Sequence, residues 1–273
     1  MTPDSEKKYL AAADILRVFA IGTVAWYHIW QQSWLDPGFR FGNHYVNLQQ
    51  VIRHGYIMVD VLLVISGFLL SLPYARAYFG MVRTPSPKEF YVKRFWRIVP
   101  SYILALLLQL FLFALPEGSY SSPGFMVKDI LAHLTFTHNL FYDTYFATPL
   151  QGVLWTLGVE VQCYALFPLI ALLYEAKPRL TCLTLAVIAA AFRLWVYFRP
   201  DTTLWVNQLP GMLDLYACGM LAAYLYIKPP RRERRPALAW LYAAIAFIAL
   251  LVLIQIMYLQ PVGDYDELRR YQL

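Results

Sequence analysis

Apolar runs of about 20 residues recur along this chain, at 10–31, 55–74, 97–115, 153–174, 180–198, 204–226 and 238–259. That is the length a helix needs to cross a hydrocarbon core about 30 Å thick. Strands that cross membranes are about half as long and alternate in polarity, a pattern these runs do not follow. Lipid offers no partner to a backbone N–H or C=O, so such segments must close their hydrogen bonds internally, as helices. The expected fold is all-α, a polytopic transmembrane helix bundle of about seven spans forming one domain over 1–273. Composition agrees: 59% of residues are hydrophobic and 15% charged, against the roughly 25% charged of soluble domains. Trp and Tyr gather near the ends of the runs, as interfacial belts require.

The net charge of +6 does not indicate nucleic acid, because the cations sit in the loops between spans. Lys7, Lys8, the 75–96 loop (Arg76, Arg83, Lys88, Lys93, Arg94), the 175–179 turn (Lys177, Arg179) and the 227–236 loop (Lys228, Arg231, Arg232, Arg234, Arg235) fall on one side. The opposite loops hold fewer than half as many: Arg40, Arg53, Lys128, Arg199, Arg269 and Arg270. The positive-inside rule puts the N-terminus in the cytoplasm, and seven spans leave the C-terminus outside. The first run is long and carries Arg17, which fits a retained span rather than a signal peptide. Cys163, Cys182 and Cys218 all lie in spans without metal-ligand spacing and read as buried thiols. The long outer loop 116–152 is read as interfacial or re-entrant over 130–145, with His133 and His138 as surface residues rather than ligands. No metal site is expected. Pro100, Pro116, Pro168, Pro200, Pro210 and the Pro229-Pro230 pair punctuate the spans as starts, stops or kinks.

Several spans carry an ionisable group: Arg17 and His28 in the first, Asp60 in the second, Glu160 in the fourth, then Arg193 and Asp214. Each costs about 2.5–3.5 kcal/mol at the centre of a span even on the mildest scale, so their presence points to chemistry or transport. Arg17 and His28 are about three helical turns apart, on one face and separated by roughly 16 Å. With the N-terminus inside, Arg17 lies in the inner half of its span and His28 towards the outer end. Asp60 and Glu160 fall about 8 and 10 Å below the outer surface by the same rise, near the level of His28. A histidine beside carboxylates is a general base whose imidazolium is stabilised. At the cytoplasmic rim, Lys93, Arg94 and Arg97 are spaced so that Lys93 and Arg97 share a face with Arg94 at its flank. Guanidinium forks match phosphate oxygens.

Four blocks resemble the acyltransferase-3 family of multispanning membrane acyltransferases. They are Asp14-Ile15-Leu16-Arg17-Val18-Phe19-Ala20 with His28, keeping the Arg-x10-His spacing; residues 55–70, with Asp60 and Ser66-Gly67-Phe68; residues 91–102, with Lys93, Arg94, Arg97 and Pro100; and residues 154–164, with Trp155 and Glu160. A fainter match follows at 212–220. The blocks stand in family order and cover most of 9–226. Lys93 stands where arginine is usual, and Val161 replaces a frequent second glutamate. Family members usually have about ten spans, so a chain of about seven is expected to be a short or C-terminally truncated member.

The resemblance implies an acyl-CoA-dependent transferase that moves a short acyl group, acetyl above all, onto a hydroxyl of an extracytoplasmic carbohydrate or glycan. The protein would sit in a bacterial inner membrane, with acyl-CoA as co-substrate and no bound cofactor. It implies catalytic roles for His28, Arg17 and Glu160, donor binding by Lys93, Arg94 and Arg97, and support from Asp60, Ser66 and Trp155. In this scheme Glu160 or Asp60 orients His28, which takes the acceptor proton, while Arg17 offsets negative charge. The rivals are a proton-coupled transporter, which also needs buried His, Asp and Glu, an inactive truncated homologue, and a seven-span receptor or retinal protein. The cytoplasmic N-terminus opposes a receptor, and the absence of lysine from the last span opposes a retinal protein.

Overall fold

The structure, a computed structural model, describes residues 3–33 and 38–228. The seventh run at 238–259, the cations from Arg231 to Arg235, and Arg269 and Arg270 lie outside the described residues. The described chain is helical apart from one small hairpin and falls into two compact units, one of residues up to Ser66 and one over Gly67–Ile227.

The first unit opens with α1 (Pro3–Ser33), a helix that contains the whole first apolar run. A two-stranded antiparallel hairpin follows, β1 (Gly38–Phe41) against β2 (His44–Asn47), with Phe39 opposite Val46 and Phe41 opposite His44. Its tight turn is Gly42-Asn43, and Gly42 has φ +61, a backbone state that glycine reaches without strain. The all-α expectation did not include these strands. Short helix α2 (Gln49–Arg53) and a 3₁₀ turn at Gly55–Ile57 then pack on α1. Gly55 permits the close approach: a Cβ there would stand 2.8 Å from Tyr27 Cβ and 2.9 Å from the Thr23 carbonyl. Helix α3 (Met58–Tyr78) continues from this unit into the next.

In the second unit, α4 (Pro87–Gln109) runs on into a π-helical turn at Leu110–Ala114. Its start lies ten residues before the expected span, because Ser86 caps it by accepting from the Glu89 backbone N–H at 3.2 Å and Pro87 takes the first turn. Lys88, Lys93 and Arg94 are therefore on the helix and not in a loop. Next come α5 (Pro123–Leu134), capped by Ser122, and α6 (Tyr142–Phe146). Then α7 (Trp155–Ala176), α8 (Pro178–Tyr197) and α9 (Leu209–Ile227) follow. Five stretches, Val51–Tyr78, Pro87–Ala114, Gly152–Ala176, Pro178–Tyr197 and Leu209–Ile227, are long and apolar enough to cross a membrane. The 116–152 loop supplies none, as expected. Pro73, Pro100 and Pro168 sit inside helices and do not end them.

Phe90, Phe167 and Tyr74 form an aromatic core. Phe90 stacks on Phe167 with centroids 5.3 Å apart, and Tyr74 meets Phe167 edge-on at 5.6 Å. Arg193 of α8 reaches Asp214 of α9 with both guanidinium nitrogens, at 2.5 and 3.0 Å, so each span neutralises the other's charge. Exposed Leu104, Leu107, Phe111, Leu169, Leu172, Leu183 and Val187 leave an outward surface suited to lipid rather than water.

Candidate functional site

In the first unit, α1 carries Arg17 and His28 as the Arg-x10-His spacing requires. Arg17 is three-quarters covered and pairs with Asp14 one turn earlier, Nη1 to Oδ1 at 3.4 Å. Its Nη2 is buried without a hydrogen-bond partner, so part of the guanidinium fork remains to be satisfied. His28 is half-buried, with the Tyr27 ring edge-on at 5.0 Å. Its Nδ1 lies 3.3 Å from Gln31 Oε1. An amide oxygen only accepts, so Nδ1 carries the proton and Nε2 presents the lone pair. Asp60 is in the first turn of α3 on an exposed face, and half-buried Ser66 follows six residues on.

The second unit joins residues that the sequence assigned to separate groups. Tyr164, one turn past Glu160 on α7, donates a short hydrogen bond to Glu160 Oε1. The Arg94 guanidinium of α4 lies over both the Tyr164 ring, at 5.5 Å, and the Phe90 ring, at 5.7 Å. Glu160 and Arg97 are also electrostatic neighbours of Arg94. Tyr91 ties the helices by donating to the Ala165 carbonyl at 2.9 Å. Arg94 is thus turned inward and held by cation–π contacts, while Lys93 and Arg97 are exposed. Fully buried Cys163 and Tyr216 are also electrostatic neighbours of Glu160. One carboxylate, two phenols and a guanidinium therefore converge between α4, α7 and α9. The set can hold an anionic or carbonyl oxygen at Arg94 and relay hydrogen bonding through Tyr164. Trp155, expected in support, is the first residue of α7, half-buried, with its ring 6.5 Å from Tyr145.

The 120–148 segment holds a polar knot that contradicts the surface reading of its histidines. Asp129, His133, His138, Asn139 and Thr144 are all 0% exposed. The imidazoles of His133 and His138 stack with centroids 4.2 Å apart and planes 10° from parallel. His133 Nδ1 donates to the Asp129 carbonyl at 2.9 Å and lies 3.3 Å from Asp129 Oδ1. Tyr120 and Thr148 donate to Asp129 Oδ2 at 3.0 and 2.7 Å, and Tyr102 of α4 donates to the His133 carbonyl at 3.0 Å. Gln162 of α7 donates to Asn139 Oδ1 and to the Phe136 carbonyl, and Gln208 donates to the Asn139 carbonyl. Phe136 reaches this position with φ 55, a left-handed state that is uncommon outside glycine and marks local strain. Gly158 makes room on α7, since a Cβ there would meet His138 Cε1 at 3.1 Å.

Burial, and next the neighbouring His133, push the His138 imidazole down to about 4, so it is neutral near pH 7. Outside the knot, the hydrogen bond from Lys128 holds the exposed Asp143 carboxyl below its ordinary range. Burial, with Asp129 second, raises the Tyr120 phenol. The sequence signal for this knot was the four-residue spacing of Asp129 and His133, which puts both on one helical face. Among the described residues no cluster has the geometry to hold a metal ion.

The family described as Acyltransferase domain matches residues 10–272 of the chain. The chain is 28% identical over 194 residues to "O-acetyltransferase OatA" of Staphylococcus aureus (strain NCTC 8325 / PS 47), covering 67% of this chain and 28% of that protein. It is 29% identical over 197 residues to "Nodulation protein 10" of Rhizobium leguminosarum bv. viciae, covering 67% and 49%. It is 26% identical over 265 residues to "Putative acetyltransferase ORF330" of Acidianus two-tailed virus, covering 96% and 69%. The chain therefore spans between about a quarter and a half of the length of the first two relatives. No solved structure matches it.

Proposed function

The chain belongs to the acyltransferase-3 family, and from that premise we propose that it is a membrane O-acetyltransferase using acetyl-CoA as donor and an extracytoplasmic glycan hydroxyl as acceptor. The observation that carries the reading is His28 with its Nδ1 proton given to Gln31, which leaves the Nε2 lone pair to accept a proton. Nε2 takes the hydroxyl proton as the acceptor oxygen attacks the thioester carbonyl. The tetrahedral oxyanion then collapses, the C–S bond breaks, and the imidazolium returns the proton to the departing thiolate. Arg17, with one guanidinium nitrogen unpartnered, offsets negative charge on the donor. Lys93, Arg94 and Arg97 hold the donor, and Glu160 fixes Arg94 through Tyr164. Asp60 and Ser66 support His28 from α3, and Trp155 braces the start of α7.

The test is transfer of labelled acetyl from acetyl-CoA in membranes, read by mass analysis of envelope glycans. His28→Ala should lower transfer by at least about a hundredfold, the usual contribution of a general base, at unchanged membrane expression. Normal transfer by that variant would remove His28 from the chemistry.

A further inference from the structure

Two cations at the cytoplasmic end of the second unit have no part in the scheme above. Lys177 and Arg179 flank the turn between α7 and α8, both exposed, and neither forms an ion pair among the described residues. They border a groove of about 330 Å³ walled by Tyr78, Ala176, Pro178, Leu180 and Tyr224. Arg179 lies over the Tyr224 ring at 5.5 Å, and Tyr224 packs against Tyr78 at 5.9 Å and Phe79 at 5.5 Å. The nearest acidic residue in sequence, Glu175, turns its Oε2 to Thr84, from which it accepts at 3.1 Å, and its Oε1 is buried without a hydrogen-bond partner. The groove thus offers aromatic surface beside two unneutralised charges. Its size lies at the lower end of the roughly 300–1,000 Å³ of small-molecule pockets.

Arg94, by contrast, is not at the end of the bundle. It sits over Tyr164, and Tyr164 precedes the last residue of α7, Ala176, by twelve positions, or about 18 Å at 1.5 Å per residue. A single extended donor would then meet two cationic stations at different depths along α7, with Arg94 at the deeper one. We propose that the groove at Lys177 and Arg179 takes the 3′-phosphorylated adenosine end of the acyl-CoA donor. The purine lies against the tyrosines, the phosphates meet the two cations, and the pantetheine arm runs along α7 towards Arg94. A neutral glycan would leave both charges unused, whereas a nucleotide bisphosphate uses the charges and the rings together. This inference rests on the acyl-CoA reading.

The experiment measures binding of adenosine 3′,5′-bisphosphate to the purified full chain by calorimetry, for wild type and for Lys177→Gln/Arg179→Gln. In parallel, turnover is measured with acetyl-CoA and with S-acetylpantetheine, which lacks the nucleotide. The double variant should lose about tenfold or more in bisphosphate affinity, the scale of charge-assisted hydrogen bonds. It should raise KM for acetyl-CoA by a similar factor and leave S-acetylpantetheine unaffected. Wild-type protein that does not bind the bisphosphate, or a variant that binds it normally, overturns the subsite. So does a variant that loses both donors equally. Anionic phospholipid headgroups are the other source of phosphate. If the variant alters only the response to anionic lipid in nanodiscs and keeps bisphosphate affinity, the groove is a headgroup site and the proposal fails. Bisphosphate bound through these residues without acetyl transfer keeps the subsite and rejects the activity. Transfer with an unchanged KM does the reverse.

Discussion

In the proposed donor site Tyr164 is the pivot, because its hydroxyl serves Glu160 while its ring carries Arg94. Tyr164→Phe keeps the ring and removes the hydroxyl. Expected is a raised acetyl-CoA KM with expression and melting temperature little changed, checked by kinetics in membranes and a thermal melt in detergent. An unchanged KM would mean that Glu160 does not act through this phenol. His138 gives a second prediction, in pH. Its pKa is depressed to about 4 in the fold against 6.5 free, so below pH 6.5 the unfolded chain binds a proton that the folded one refuses. Stability from this group is full above about 6.5 and falls as pH drops towards 4, by about 3 kcal/mol at most. His133, Asp129 and the Leu154 backbone face it. His138→Gln should flatten the dependence of melting temperature on pH across that window. At this scale the sequence was half legible. It marked Arg94, Arg97 and Glu160, but residue spacing alone cannot tell which cation of a helix turns inward. That was decided by the rings of Phe90 and Tyr164, and they come from two helices.

The π-helical turn that ends the α4 span, Leu110–Ala114, follows Gln109, which donates to the Pro149 carbonyl at 3.2 Å and accepts from Gln151 at 2.8 Å. With the Tyr102 bond to His133, this fastens the 120–151 segment to α4 at two levels. The segment is therefore a folded cap rather than a floppy connection, and Phe136 bears its strain. The pair Arg193–Asp214 fastens α8 to α9 in a different way. Arg193→Leu should cost about 1–3 kcal/mol, between exposed and buried pairs, by leaving Asp214 uncompensated. Arg193→Leu/Asp214→Leu should recover most of that loss in a thermal melt, since lipid-facing spans favour apolar side chains. A double variant as weak as the single would show that the pair does more than cancel charge. Helix positions were readable because twenty apolar residues admit few alternatives. The hairpin was not, although Gly42-Asn43 between Phe39 and Val46 is a recognised turn signal, because a four-residue strand is short beside the long spans that dominate the pattern.

Across the whole molecule, hydrogen bonds within the second unit fix which helix ends lie together. Thr84, just before α4, meets Glu175 at the end of α7, and Gln109 meets Pro149 and Gln151 at the opposite end. The basic ends of these helices therefore coincide, which is the arrangement that the loop charges require of a cytoplasmic face. In a chain with Cys218→Ser, a cysteine at Ser121 should be labelled by an impermeant maleimide on intact cells, and one at Lys88 only after the membrane is opened. The opposite pattern would invert the orientation.

Gly67 sits where a side chain has no room. A methyl group there would stand 2.5 Å from the carbonyl oxygen of Tyr216, on a backbone that cannot give way cheaply. Tyr216 borders Cys163 and feels Glu160, so one added carbon at position 67 would press on a neighbour of a carboxylate 93 positions downstream. Two stretches far apart in the sequence are thereby held at one close approach of their backbones.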